Sequence, residues 1–226
     1  MQKMKSTLLL FLILVFSLSL NAQNFTGTIT YDIKVTGPMA EQVKGMIQEK
    51  QIVKIKGNNM RQTIKGGMMA QMMGDIIILG DKKEAYILQA SEKKALKIST
   101  EENKDEGPKP KITKLDEVID IAGYKCQKYS IEIENEQLGS TITEYVWATK
   151  DIQVSSAKTG LNKSNSITME GIDGVVLKMV TDMTGMFTLT MVATQVQKGD
   201  IPDSEFTIPK DYTIEKFNPA SLGIGK

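Results

Sequence analysis

FTGTITYDIKV, running from Phe25 to Val35, alternates without a break. Phe25, Gly27, Ile29, Tyr31, Ile33 and Val35 share one side, and Thr26, Thr28, Thr30, Asp32, Lys34 and then Thr36 share the other. A period of two with one apolar side is the pattern of a strand that buries one face and wets the other. Similar β-prone runs recur at Gln51 to Lys56, Asn59 to Ile64, Asp75 to Leu79, Glu84 to Gln89 and Lys94 to Ser99. Gly57-Asn58, Gly80-Asp81 and Ala90-Ser91-Glu92 punctuate them as hairpin turns, which makes an antiparallel meander. Residues 100–110 are charged and proline-bearing, with no apolar side chain, so they form a solvated loop inside one domain.

Beyond that loop, strands are expected at Lys111 to Leu115, Tyr124 to Glu134, Ser140 to Ala148, Val175 to Thr181 and Met186 to Gln197, with a short edge strand at Phe206 to Ile208. Lys150 to Gly174 reads as loops or a short helix. On the order of ten strands exceeds the usual mode for one sheet, so the sheet must curl, split or close. The expected fold class is therefore mainly β with few helices: a strongly curved antiparallel sheet, a half-open barrel.

The first 22 residues carry Lys3 and Lys5, an apolar run from Leu8 to Phe16, and then Ser17 to Ala22. That order is a cleavable secretory signal, too short in its apolar core to span a bilayer. Cleavage after Ala22 leaves residues 23–226 as one β-rich domain in the periplasm or outside the cell, with no transmembrane span in the mature chain. The only cysteine, Cys126, is too deep in the chain to carry a lipid anchor, and it reads as a buried small hydrophobe or a partner in an intermolecular pair. Losing Lys3 and Lys5 takes the formal charge from +1 to −1, so nothing attracts nucleic acid.

The chain has no histidine, which removes the usual general base and metal ligand, and its carboxylates, such as Glu132 and Glu134, lie on wet strand faces or in loops. No glycine-rich loop joins a strand to a helix, so the sequence calls for no cofactor and no enzyme. What remains is an excess of methionine, with twelve of the fourteen beyond residue 22. Met39, Val43, Met46 and Ile47 have the spacing of a short amphipathic helix over residues 38–49, weakened by Gly45. Met68, Met69, Met72 and Met73 crowd a second apolar segment. Flexible thioethers fill irregular cores, line pliable apolar cavities, or, at i, i+3, i+4 spacing, coordinate Cu(I); the absence of histidine and of a second cysteine weighs against copper.

Ile121-Ala122-Gly123-Tyr124-Lys125-Cys126-Gln127-Lys128-Tyr129, then Tyr145-Val146-Trp147-Ala148-Thr149, and finally Phe206-Thr207-Ile208-Pro209-Lys210-Asp211-Tyr212 resemble the exported bacterial family known as domain of unknown function 4412. That family is similar in architecture to the outer-membrane lipoprotein carriers LolA and LolB, whose half-open barrel holds lipid under a helical lid. The resemblance implies a lid formed by Met39, Val43, Met46 and Ile47, with Met68, Met69, Met72 and Met73 near a cavity mouth. It also implies a lid-latching arginine, and Arg61, the only arginine, lies on an early strand; by itself it reads as an exposed strand arginine. The function so implied is the binding of an apolar small molecule or lipid. The alternative is an interaction module with a filled barrel whose partner is an envelope protein. A shared fold does not transfer the task.

Overall fold

The alternating N-terminal stretch forms β1 (Gly27–Thr36), and its burial alternates in step: Ile29, Tyr31 and Ile33 are buried, and Thr28, Thr30 and Asp32 are partly exposed. The computed structural model describes residues 24–98, 110–135, 140–154, 167–183 and 185–218. The expected leader and residues 100–109 of the charged loop lie outside them. The further strands are β2 (Lys50–Lys56), β3 (Asn59–Lys65), β4 (Asp75–Leu79), β5 (Glu84–Gln89) and β6 (Lys94–Ile98). They are followed by β7 (Lys111–Ile121), β8 (Tyr124–Asn135), β9 (Ser140–Thr149), β10 (Val175–Met183), β11 (Phe187–Lys198) and β12 (Thr213–Lys216). Two short helices interrupt the first half, α1 (Ala40–Val43) and α2 (Gly67–Met73).

All twelve strands belong to one sheet in the order β12-β6-β5-β4-β3-β2-β1-β11-β10-β9-β8-β7, with β12 and β7 as its open edges. The sheet is strongly curved and unclosed. Core packing shows why curvature is forced: Ile29 and Tyr31 of β1 and Val53 and Ile55 of β2 share one apolar cluster with Ile121 of β7 and Cys126 of β8. In a flat sheet β1 and β7 would stand about 24 Å apart at ~4.8 Å per strand. Contact between them requires the sheet to roll over on itself.

Register shifts supply the bend. Between β1 and β11 the pairing steps from Thr30↔Gln195 to Tyr31↔Ala193, leaving Thr194 as the extra residue. Its hydroxyl donates to the Thr30 carbonyl at 3.3 Å. A second shift leaves Leu177 of β10 unpaired with β9, and a third separates Lys114 from Val118 on β7. Bulges of this kind increase local twist. Opposite Tyr31 stands Ala193, whose small side chain leaves room for the ring, and the Tyr31 hydroxyl donates to the Val176 carbonyl at 2.9 Å. That carbonyl lies beyond the last β10–β11 pair, Lys178↔Val192, so the tyrosine satisfies an acceptor on β10 there. Burial drives the Tyr31 hydroxyl pKa upward, and it remains a neutral donor.

The C-terminal segment straps the outer face of β2 to β6. Ile208 and Tyr212 pack on the cluster of Ile77, Tyr86, Leu88 and Ala95. Lys54 meets Glu205 at 2.6 Å, and Lys56 meets Asp203 at 2.8 Å and the Ile201 carbonyl at 2.9 Å. Two expectations change here. Phe206 belongs to a 3-10 turn over Asp203–Phe206 instead of an edge strand, and the edge is β12, which pairs parallel with β6 in an otherwise antiparallel sheet. β7 runs on to Ile121, six residues past the expected end, because its bulge carries Asp116 and Glu117, which break the alternation.

Replacing Tyr31 with phenylalanine keeps the ring but leaves the Val176 carbonyl without its donor. Urea unfolding is expected to show a loss of about 1–3 kcal/mol. A loss below about 0.3 kcal/mol would mean that water takes the hydroxyl's place and that this bond does not hold the curl.

Candidate functional site

Three connections meet at one end of the sheet. The Met39 amide at the start of α1 donates to the Met186 carbonyl in the β10–β11 turn at 3.0 Å. The Met68 amide at the start of α2 donates to the Gly45 carbonyl just after α1, at 2.9 Å. Glycine permits this closeness: Gly67 has φ +67°, and a Cβ there would lie 2.2 Å from the Ile47 carbonyl oxygen. The result is a rim on which Met39, Met46, Met68 and Met186 expose 37%, 53%, 53% and 45% of their surface. Those values are high for large apolar side chains, and adjacent exposed apolar groups mark an interaction surface.

Below the rim lies an apolar floor that follows from the register. Side chains of directly paired residues point to the same side. One row across five strands reads Val35, Leu189, Thr181, Glu144 and Ile131. The row on the inner side of it reads Ile33, Met191, Met179, Val146 and Tyr129, and the row nearer the rim holds Phe187, Met183, Ile142 and Ile133. Most of these side chains are partly exposed, and Ile133 more so than the rest. Toward the opposite end the face is covered: Met169 and Ile172 pack on Ile131, Val146 and Val176.

Glu144 is the charged exception on this floor. Thr181 Oγ1 lies 3.2 Å from its Oε2 and donates to it, whereas Oε1 is buried with no hydrogen-bond partner. Burial raises the carboxyl's pKa, opposed by the Thr181 bond. On the other side of β8 to β10, Lys178 Nζ lies 4.2 Å from the Trp147 ring centroid and Lys128 Nζ 4.9 Å. Glu117 bonds both Lys128 and the Trp147 indole nitrogen at 2.8 Å, and hydrogen bonds from Lys128 and Trp147 hold its carboxyl below the usual range. Cys126 is buried, its thiol pushed up to about 11 by desolvation, so it is not a ready nucleophile. Among the described residues no group of three acidic, cysteine or histidine side chains could hold a metal ion.

The expected site residues divide. Met39, Val43, Met46, Ile47 and Met68 come together at the rim. The expected helix over 38–49 shrinks to α1, four residues with no side-chain cap and none of them buried, because Gly45 ends it and the turn up to Met46 follows. The segment is a short turn at the mouth. α2 carries Met68, Met69, Met72 and Met73 on one helix, as their spacing predicts, although the side chains of Met69, Met72 and Met73 lie outside the described part. Arg61 stands on the outer face with Lys54 and Ile77, bonding Asp75 at 2.5 Å and the Glu205 carbonyl at 3.1 Å. Its bonds hold the strap. Met186, Glu144 and the floor were missed, although Met179, Met183, Phe187, Leu189 and Met191 alternate in the sequence as a strand's apolar side does.

The model of the family described as domain of unknown function 4412 matches residues 25–212. The chain belongs to that family. Comparison of this DUF4412 chain with curated proteins finds no match. Among solved structures it is similar to PNGF-II, with TM-score 0.49 and 16% identity over 87% of this chain and 32% of that one, so the DUF4412 chain spans about a third of that protein's length. It is also similar to a LolA superfamily protein from Nitrosomonas europaea, with TM-score 0.35 and 11% identity over 82% of this chain and 91% of that one. A third likeness is to lipoprotein LppX from Mycobacterium tuberculosis, with TM-score 0.33 and 10% identity over 76% and 86% of the two chains.

Glu144 gives a pH prediction. Its folded pKa is raised, so the folded state holds the proton to higher pH than the unfolded chain does, and stability falls as pH rises from the ordinary value of 4.5 through the raised one. Glu144→Gln removes this loss. Its melting temperature relative to wild type is expected to be higher at pH 8 than at pH 4, and a difference independent of pH would show that the carboxyl ionises freely.

Proposed function

We propose that this chain is an exported binding protein that holds the acyl chain of a lipid, or a similarly apolar molecule, and carries out no catalytic step. One observation carries the reading: a partly exposed apolar floor spanning β1, β11, β10, β9 and β8 runs into a rim of exposed methionines. Strand residues on an ordinary wet face are polar, as Thr28, Thr30 and Asp32 are. Here the partly exposed positions are Leu189, Met191, Met179, Met183 and Phe187. Unbranched thioethers adapt to ligands of varied shape, which suits a site for chains of different length. Eight methylenes laid on the floor would gain roughly 6 kcal/mol at about 0.8 kcal/mol each, equivalent to a Kd of tens of micromolar before ordering costs. Export rests on the N-terminal pattern. No helix among the described residues is long and apolar enough to cross a membrane.

A second reading, an envelope interaction module with a filled interior, has one observation in its favour. Ile152 and Ile167, each 1% exposed, join the cluster formed by Ile29, Tyr31 and Val175 and plug that part of the curl with the chain's own side chains. The two readings differ at the open end alone.

Fluorescence of N-phenyl-1-naphthylamine, an uncharged apolar probe, tests them. The wild-type chain is expected to enhance its emission, and the double variant Met39→Asp, Met186→Asp to bind it at least about tenfold more weakly, a difference of about 1.4 kcal/mol, with unchanged circular dichroism. Absence of enhancement by wild type would leave the filled module standing, and equal binding by the variant would remove the rim from the site.

A further inference from the structure

The floor holds one polar group that structural packing leaves incomplete. Buried polar atoms are almost always hydrogen-bonded, and an exception calls for an explanation. Glu144 sits where the cover ends: its neighbour Ile131 lies under the turn carrying Met169 and Ile172, whereas Ile133, next along β8 on the same face, is 38% exposed. A chain lying on the floor with its tail toward the methionine rim would bring its other end to this point.

We propose that the Glu144 carboxyl receives the polar end of a bound amphiphile through Oε1, and that this end is an uncharged hydrogen-bonding group: an alcohol, ester or amide. The inference rests on the binding function proposed above. Thr181 occupies Oε2 by donating to it, so Oε1 is the atom left for a ligand. Oε1 accepts from an alcohol or amide N–H, and burial, which raises the carboxyl's pKa, favours the acid form that donates to a hydroxyl or carbonyl oxygen. Among the described residues an anionic head meets no cation at this position: the residues paired with Glu144 are Ile131 and Thr181, neither charged, and no described lysine bonds to it. An ammonium head would have to be stripped of water to form an ion pair in apolar surroundings, and its desolvation offsets the attraction.

Displacement of bound N-phenyl-1-naphthylamine by 1-dodecanol, dodecyl sulfate and dodecylammonium tests this on wild type, Glu144→Gln and Glu144→Leu. Probe binding itself reports the floor. Relative to each protein's own affinity for the probe, dodecanol is expected to bind about fivefold more weakly to Glu144→Leu than to wild type. Glu144→Gln, whose amide still donates, should stay within about twofold of wild type. Dodecanol affinity unchanged in Glu144→Leu would overturn the headgroup role while leaving the apolar site intact. Tighter wild-type binding of dodecylammonium or dodecyl sulfate than of dodecanol would overturn the uncharged class. Failure of the wild type to bind the probe would remove the binding function and this inference with it.

Discussion

The roll of the sheet depends on what lies across from Tyr31. A ring of that size can lie over the neighbouring strand only if the residue opposite is small, and the bulge at Thr194 is what brings Ala193 to that place. The tyrosine hydroxyl then ties β1 to the carbonyl of Val176 on β10, past the point where the β10–β11 ladder stops. With β10 drawn in at that end, Leu177, Val175 and Cys126 close on Ile29 and Val53. At the other end no comparable tie exists among the described residues. The apolar rows of β8 to β11 stay partly exposed there. The packed end and the open end are two results of one set of bulges.

Polar interactions divide the work in a way that matches this asymmetry. On the outer face, Lys54 and Arg61 hold the strap through Glu205 and Lys56 through Asp203, while Asp75 of β4 fixes the Arg61 guanidinium. Such partly exposed pairs contribute modestly one by one, but they fix the path of a segment whose apolar groups, Ile208 and Tyr212, supply the burial. On the β8–β10 side, Glu117 and the two lysines around Trp147 tie the β7 bulge down. Glu144, a charged side chain on the apolar floor, has no described cation beside it and an Oε1 without a hydrogen-bond partner.

Much of the fold was legible because turn chemistry and alternation agreed. Asp75–Leu79 and Glu84–Gln89 begin and end where the sequence placed them, since Gly80-Asp81 leaves no alternative between them. β12 was illegible: Thr213 to Lys216 offers one apolar residue, Ile214, and all four positions are exposed, so its strand character comes from the β6 edge and not from its own pattern. β7 was cut short because a bulge spoils the period of two, and Gln127, which bonds the Leu115 and Glu117 carbonyls across that bulge, gives no local sign of doing so. The site was half legible. Methionine excess pointed to Met39, Met46 and Met68, but Met186 joins them only through a backbone bond between segments far apart in sequence. Glu144 is one of many strand carboxylates until register sets it between Thr181 and Ile131. Arg61 shows the converse: strand order suggested a lid, and strand parity turned it outward.

The parallel pairing of β12 with β6 bears on how the chain reaches its native state. Lys94 and Thr213 are partners separated by more than a hundred residues, and the strap between β11 and β12 packs on the backs of β4 to β6. Until the last part of the polypeptide has emerged, β6 keeps a free edge, and Tyr86 and Leu88 keep an uncovered side. Contacts of such long range form late, because closing the loop comes before any compensating gain. A chain synthesised from its N-terminus would therefore complete the β6 edge only once β12 was free to pair, with the first half kept pliable until then.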